Sequence, residues 1–389
     1  MTDYCVLRQR AKYMSKGISH QQKIAIDRWF ALPFAFLRLI GRIFQKSEHQ
    51  VYNNVVIVKL FGMGSIVRIM HELQIRQVDL NKVTLITHQE NAAIAKRLGF
   101  QTQVVGGDTF WQMALSAVRV RSLISNQENV SILDLERSSN LIGMFSHVMA
   151  FGKPLFGFGN EHWSRKGSQF LSPETKALQD LISLVFGNNS SDASNQVHSD
   201  TPTRKRQILI NVNASEYLSE RKFPAEKFVL LIENLAIAFP SMKLVLTGSE
   251  NEKDYVNHVH SMLKNKNIEI ENYAGAWSLK QLCDEIEHSH LLVTNDSGPM
   301  HLANYLRTRC VVIWGPTSPE RIGYKNSELM LNLSLQLTCQ PCFIHPKSEV
   351  AKSCSGAISC LNNMNVEHMS AQIVHFAKAS QLASSNIKS

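Results

Sequence analysis

Short apolar runs rich in β-branched residues recur along this chain, each closed by a glycine or polar turn and followed by a helical stretch, and no other feature narrows its fold as much. Val55 to Leu60 opens the series, ends in "FGMGS", and reads as a buried parallel strand entering a helix. "KVTLITH" and "VSILDLE" repeat the pattern, with helical stretches such as Glu90 to Leu98 between them. The series then breaks at "GNNSSDASNQVHSDTPTRKR", residues 187–206, which is aperiodic and rich in Ser, Asn and Asp as a linker is. It resumes with "QILINVN", a helix over Ala225–Phe239, "MKLVLTG", helices over Glu252–Leu263 and Leu279–His288, "LLVTN", a helix from Pro299, and "CVVIWG". Strands alternating with helices predict α/β sheets. Two such series of similar size predict two Rossmann-like domains facing across a cleft, one over residues 51–186 and one over 207–389 that closes on a C-terminal helix.

The chain of 389 residues is long enough for two cores, and 44% apolar with 19% charged residues excludes a largely disordered protein. Its net charge of +9 suits an anionic partner such as a nucleotide, a nucleic acid or a lipid headgroup. Much of the excess is local, because residues 1–50 hold nine Lys and Arg against three Asp and Glu. No aromatic-basic motif supports nucleic acid as the partner. Within this basic N-terminal segment, "RWFALPFAFLRLIGRIF" is broken by Pro33, Arg38 and Arg42 and falls short of the ~20 residues of a spanning helix. It reads either as an amphipathic helix lying at a membrane surface or as a helix packed on the protein's own body. Seven cysteines do not make a secreted disulfide framework, and the start does not resemble a signal peptide, so a cytoplasmic location is expected.

Chemistry concentrates in "TNDSGPMHLA", Thr294 to Ala303, which links an apolar strand to a helix. In open α/β sheets ligands bind beyond the carboxyl ends of strands. Pro299 suits the first helical position, and Gly298 lets a ligand approach the backbone. The unpaired N–H groups of the first turn favour an anion, to which His301 adds a donor. The alternative is that Asp296 or Ser297 only caps the helix and His301 packs on the next strand.

Together with the downstream "WGPTSPERIGY", this stretch closely resembles the signature of glycosyltransferase family 9, the bacterial heptosyltransferase family. The resemblance implies the GT-B fold and an enzyme that transfers a sugar, with inversion, from a nucleotide-diphosphate donor. By family analogy the donor is ADP-heptose and the acceptor a lipid-linked glycan of lipopolysaccharide or a related surface polymer. It also implies no required cofactor and a peripheral place at the inner face of the bacterial inner membrane. Asp296, Ser297, Gly298 and His301 match the donor-binding turn. In "NVNASEYLSERKFPAEKF", Asn213, Ser215, Arg221 and Lys222 match the segment that meets the donor phosphates. "LTGSENE" matches the loop whose carboxylate meets the ribose, which nominates Gly248 and Glu252, and "GAWSLKQL" matches the segment over the nucleobase, which nominates Trp277, Ser278 and Leu279.

The departure lies in "KLFGMGSIV", where Lys59, Gly62 and Gly64 keep the form of the acceptor-side loop but Ser65 stands where the family has its catalytic Asp. A hydroxyl is no general base near neutral pH, so either Glu136, Asp108, Glu161 or His71 supplies the base, or the chain is a non-catalytic relative that binds nucleotide-sugar or partner proteins. Cys339, Cys342, Cys354 and Cys360, with His345 among them, have a spacing compatible with structural zinc and equally with reduced thiols.

Overall fold

The structure is a computed structural model and describes residues 52, 54–105, 110–125, 127, 129–136, 140–150, 153–157, 174–187, 203–214, 220–324, 328–342 and 358–385. The basic N-terminal segment, Asp108, Glu161, Ser215, His345 and Cys354 lie outside these residues. The chain divides into two compact units, Met1–Val197 and His198–Ser389. The first is a parallel sheet of β1 (Asn54–Val58), β2 (Val83–His88), β3 (Gln101–Val105), β4 (Val130–Asp134) and β5 (Leu155–Gly157) in the order 3-2-1-4-5. The helices α1 (Met63–Ile75), α2 (Gln89–Arg97), α3 (Phe110–Ser125), α4 (Asn140–Ala150) and α5 (Glu174–Phe186) connect and follow these strands. Val55 to Val58 are at most 2% exposed, as a central strand covered on both faces must be.

The second unit carries β6 (Lys205–Asn211), β7 (Lys243–Thr247), β8 (Glu271–Asn272), β9 (Ser289–Asn295), β10 (Cys310–Ile313) and β11 (Met330–Leu333) in the order 8-7-6-9-10-11 reading from the β8 edge, all parallel. Its helices are α6 (Ala225–Ala238), α7 (Lys253–Lys264), α8 (Leu279–His288), α9 (Gly298–Tyr305), α10 (Pro319–Ile322), α11 (Ser359–Asn362) and the long α12 (Val366–Ser385). One apolar core joins β6, β7, β9 and β10 to α6, α7 and α12 through Ile210, Leu246, Val293, Phe228, Val259 and Ile373. Among the described residues no helix is long and apolar enough to cross a membrane.

Lys205 and Arg206 are strand residues, so β6 begins inside the stretch read as linker. The helix after β9 starts at Gly298, which puts Pro299 in its second position. In the first unit α1 starts at Met63, so Gly64 and Ser65 belong to its first turn and only Gly62 shapes the loop. Gly62 has φ +89°, a backbone state that a side chain disfavours.

Candidate functional site

The order of the second sheet reverses between β6 and β9, and the carboxyl ends of these strands meet there. Asn211, the last residue of β6, donates from Nδ2 to Thr294 Oγ1 and to Ser297 Oγ, each at 3.0 Å. Its Oδ1 accepts from Asn213 Nδ2 at 3.2 Å. Asn295, the last residue of β9, donates to the carbonyls of Val212 (3.1 Å) and Asn213 (3.0 Å) and accepts from the Phe223 N–H at 3.0 Å. These polar side chains are buried, and burial without partners would be costly, so their mutual bonds lock the loops after β6 and β9 together. Gly248 is part of the arrangement because a Cβ there would stand 2.7 Å from Asn213 Nδ2.

The charged groups are set on this frame. Arg221 Nη1 lies 3.0 Å from Asp296 Oδ2, with the two side chains 12% and 2% exposed. His301 Nδ1 lies 2.8 Å from Tyr324 Oη, the rings meeting edge to face at 5.6 Å. Neither Asp296 nor Ser297 caps α9 with its side chain: Asp296 holds Arg221, and Ser297 Oγ pairs with Asn211 and Thr294. The helix start therefore retains uncapped first-turn N–H groups, and the capping alternative does not hold. In the loops after β6 and β10, the buried atoms Arg221 Nε, Thr317 Oγ1 and Asn213 Oδ1 have no partner among the described residues. The first two are donors, as an anion at this edge requires.

The other nominated residues are placed differently. Lys222 turns its ammonium to the Tyr255 ring, 4.5 Å from its centroid, while its neighbour Arg221 joins the cluster. Glu252 accepts from Ser249 N and Oγ, both at 2.8 Å, and so braces the turn after β7. Trp277 stacks on Tyr273 at 4.7 Å and lines a cavity of about 330 Å³ with Lys205, Gln207, Lys243 and Glu285. Lys205 and Lys243 begin β6 and β7, so this cavity opens at the opposite end of those strands from Asn211 and Thr247, and the ring is not brought into the cluster. Cys360 belongs to the apolar core whereas Cys339 is exposed, and no metal-holding group forms among the described residues.

In the first unit the loop after β1 is clamped by Glu136. Its Oε1 meets Lys59 Nζ at 2.7 Å, and its Oε2 accepts from the N–H groups of Leu60 (3.0 Å) and Phe61 (3.2 Å). Three donors occupy its two oxygens, which makes it a brace of the loop. Behind it, Asp134 at the end of β4 accepts from Glu136 N at 2.9 Å, and complete burial raises its carboxyl to about 7. His71 stands six residues beyond Ser65, about 9 Å along α1, and burial lowers it below the usual histidine range. Asp134, Thr317 and Tyr324 carry no sequence signal of their own beyond the place of the last two inside "WGPTSPERIGY".

The sequence model described as "Glycosyltransferase family 9 (heptosyltransferase)" matches residues 179–352, which contain the whole Asn211–Tyr324 cluster. Over these residues the chain is similar to glycosyltransferase family 9. The lipooligosaccharide heptosyltransferase 2 of Campylobacter jejuni is 30% identical over 138 residues, 36% of this chain and 42% of the relative. The lipopolysaccharide heptosyltransferase 1 of Campylobacter coli is 32% identical over 126 residues, 32% of this chain and 35% of the relative. The chain thus spans about two-fifths of the length of the curated relatives it matches. Among solved structures, the E. coli ADP-heptose lps heptosyltransferase II aligns with a TM-score of 0.59 at 16% identity over 84% of this chain and 99% of that one. A glycosyltransferase family 9 structure from Veillonella parvula aligns at 0.56 and 16%, over 74% and 87%. At such identity the likeness shows the fold, which is the GT-B type with two Rossmann-like units.

Proposed function

We propose that this chain is an inverting family 9 glycosyltransferase that moves a sugar, a heptose by analogy, from a nucleotide-diphosphate donor to a lipopolysaccharide or related surface-glycan acceptor. The observation that carries the reading is the Arg221–Asp296 pair beside the uncapped start of α9, where Arg221 Nε has no partner among the described residues. The acceptor oxygen attacks the anomeric carbon, the bond from that carbon to the phosphate oxygen breaks, and its electron pair leaves with the diphosphate. Arg221, His301 and the first-turn N–H groups of α9 would stabilise that developing charge, the largest electrostatic demand of the reaction. Donor-side roles for Asn213, Gly248, Ser297 and Gly298 are part of the same reading, and Glu136 would keep the acceptor-side loop in shape. The acceptor's proton needs a base, which the Ser65 hydroxyl does not provide, and both oxygens of Glu136 already accept hydrogen bonds. That observation favours a second reading, a relative that binds nucleotide-sugar without turning it over.

Peripheral attachment to the inner membrane face through the basic residues of the N-terminal segment belongs to the same proposal. It is supported by their charge and apolar patterning. Release of ADP from ADP-heptose on adding extracted acceptor, with mass spectrometry of the glycan product, tests the enzyme. Tight ADP binding with no acceptor-dependent release would select the binding-protein reading.

A further inference from the structure

His301 alone does not determine how it meets a phosphate, because an imidazole has two nitrogens and only a donor serves an anion. Which nitrogen carries the proton is set by the partner of the other one. Here that partner is Tyr324 Oη, 2.8 Å from Nδ1. A phenol ordinarily stays protonated to a pH of about 10, so its O–H is a standing donor. With Tyr324 donating to Nδ1, the neutral ring carries its proton on Nε2. When the ring is an imidazolium, the phenol oxygen accepts from Nδ1 instead, and Nε2 still carries a proton.

Tyr324 is itself held in place from the strands behind it. It follows α10 through Gly323, whose N–H donates to the Pro319 carbonyl at 2.8 Å and where a Cβ would stand 2.5 Å from that oxygen. Asn332, in β11, reaches the Tyr324 carbonyl at 3.5 Å and accepts from Trp314 Nε1 at 2.8 Å. Trp314, the residue after β10, is wholly buried. A chain of contacts thus runs from the core through Asn332 and Tyr324 to the imidazole.

We propose that Tyr324 is a positioning residue for the donor diphosphate: it orients the His301 ring and holds Nε2 as the donating nitrogen, without touching the ligand itself. The proposal rests on the reading of this edge as a diphosphate site. Its consequence is a dependence of one residue on the other. Tyr324→Phe should weaken diphosphate binding, and it should do so only while His301 is present.

The test is calorimetry with ADP, UDP and GDP on the full chain, comparing wild type, His301→Ala, Tyr324→Phe and the double variant. For the nucleotide that binds, His301→Ala should cost roughly ten- to a hundredfold in affinity and Tyr324→Phe roughly two- to tenfold. The double variant should bind no more weakly than His301→Ala. Ring 15N shifts of His301, assigned by comparison with His301→Ala, should show Nε2 protonated in the wild type near pH 8. If Tyr324→Phe leaves affinity unchanged while His301→Ala weakens it, the positioning role is overturned and the diphosphate site stands. Equal losses from Tyr324→Phe in the presence and absence of His301 would also overturn it, since the tyrosine would then be acting on its own. If no nucleoside diphosphate binds the wild type, or His301→Ala binds as well as wild type, the site assignment falls and the proposal falls with it.

Discussion

Consider removal of one member of the Arg221–Asp296 pair. The guanidinium and carboxylate meet at 3.0 Å, with side chains 12% and 2% exposed, so each is the other's compensation for leaving water. Asp296→Ala strands a buried cation whose Nε already has no partner among the described residues, and Arg221→Met strands a buried anion. Breaking a buried pair from one side typically costs about 3–5 kcal/mol, while replacing both partners by apolar groups is often nearly neutral. Each single variant should therefore lose about 3–5 kcal/mol, or about 6–20 °C in the melting of this unit. The double variant should cost less than the sum by at least ~1–3 kcal/mol, the usual size of coupling between contacting residues. Equilibrium urea unfolding followed by circular dichroism, with both units' transitions fitted, measures all three. Single losses below ~1 kcal/mol that add without coupling would refute the reasoning, because they would mean that water or mobile loops already screen the pair.

Burial raises Asp134 to about 7, so its protonated form is the one the folded protein prefers. Stability from this group is complete below its unfolded value of about 3.8 and is lost as pH rises through about 7, so the Asp134→Asn variant should show a flatter stability profile between pH 4 and 8 in denaturant titrations. A base relocated from Ser65 predicts that Ser65→Ala costs little acceptor-dependent ADP release and Ser65→Asp gains little; a large gain over an almost inactive wild type would instead support the binding-protein reading, since general-base catalysis contributes ~10²–10⁴-fold. Deleting residues 20–46 should move the protein from the membrane to the soluble fraction, and full-length binding to anionic vesicles should fall with salt. Salt-insensitive binding would favour a helix packed on the protein instead.

The strands and most helices of both units were legible in the sequence because their signals are local. A run such as Val55–Leu60 must be buried on both faces, and the glycine that follows it, Gly62, marks the turn into the next helix wherever the rest of the chain lies. Short or edge strands escaped the same reading: β8 has two residues and β3 is largely exposed, so neither carries a periodic pattern. The donor-side turn Asp296–His301 was also visible, since strand, glycine, proline and histidine fall within one stretch of chain. What the residues in it do was not visible. Asp296 looks equally like a cap and like a ligand until Arg221, 75 residues away, takes its carboxylate. Glu136 looks like a candidate base until Lys59 and two backbone N–H groups, about 75 residues away, occupy both of its oxygens. Trp277 reads as a cover for a base until Tyr273 stacks on it at the far end of the strands. The sequence alone determines where polar groups must sit along the chain, because backbone preferences and burial patterns act over a few residues. Only the tertiary structure decides which of those groups are consumed by one another, because charge pairing and desolvation depend on distances that close after the sheets have formed.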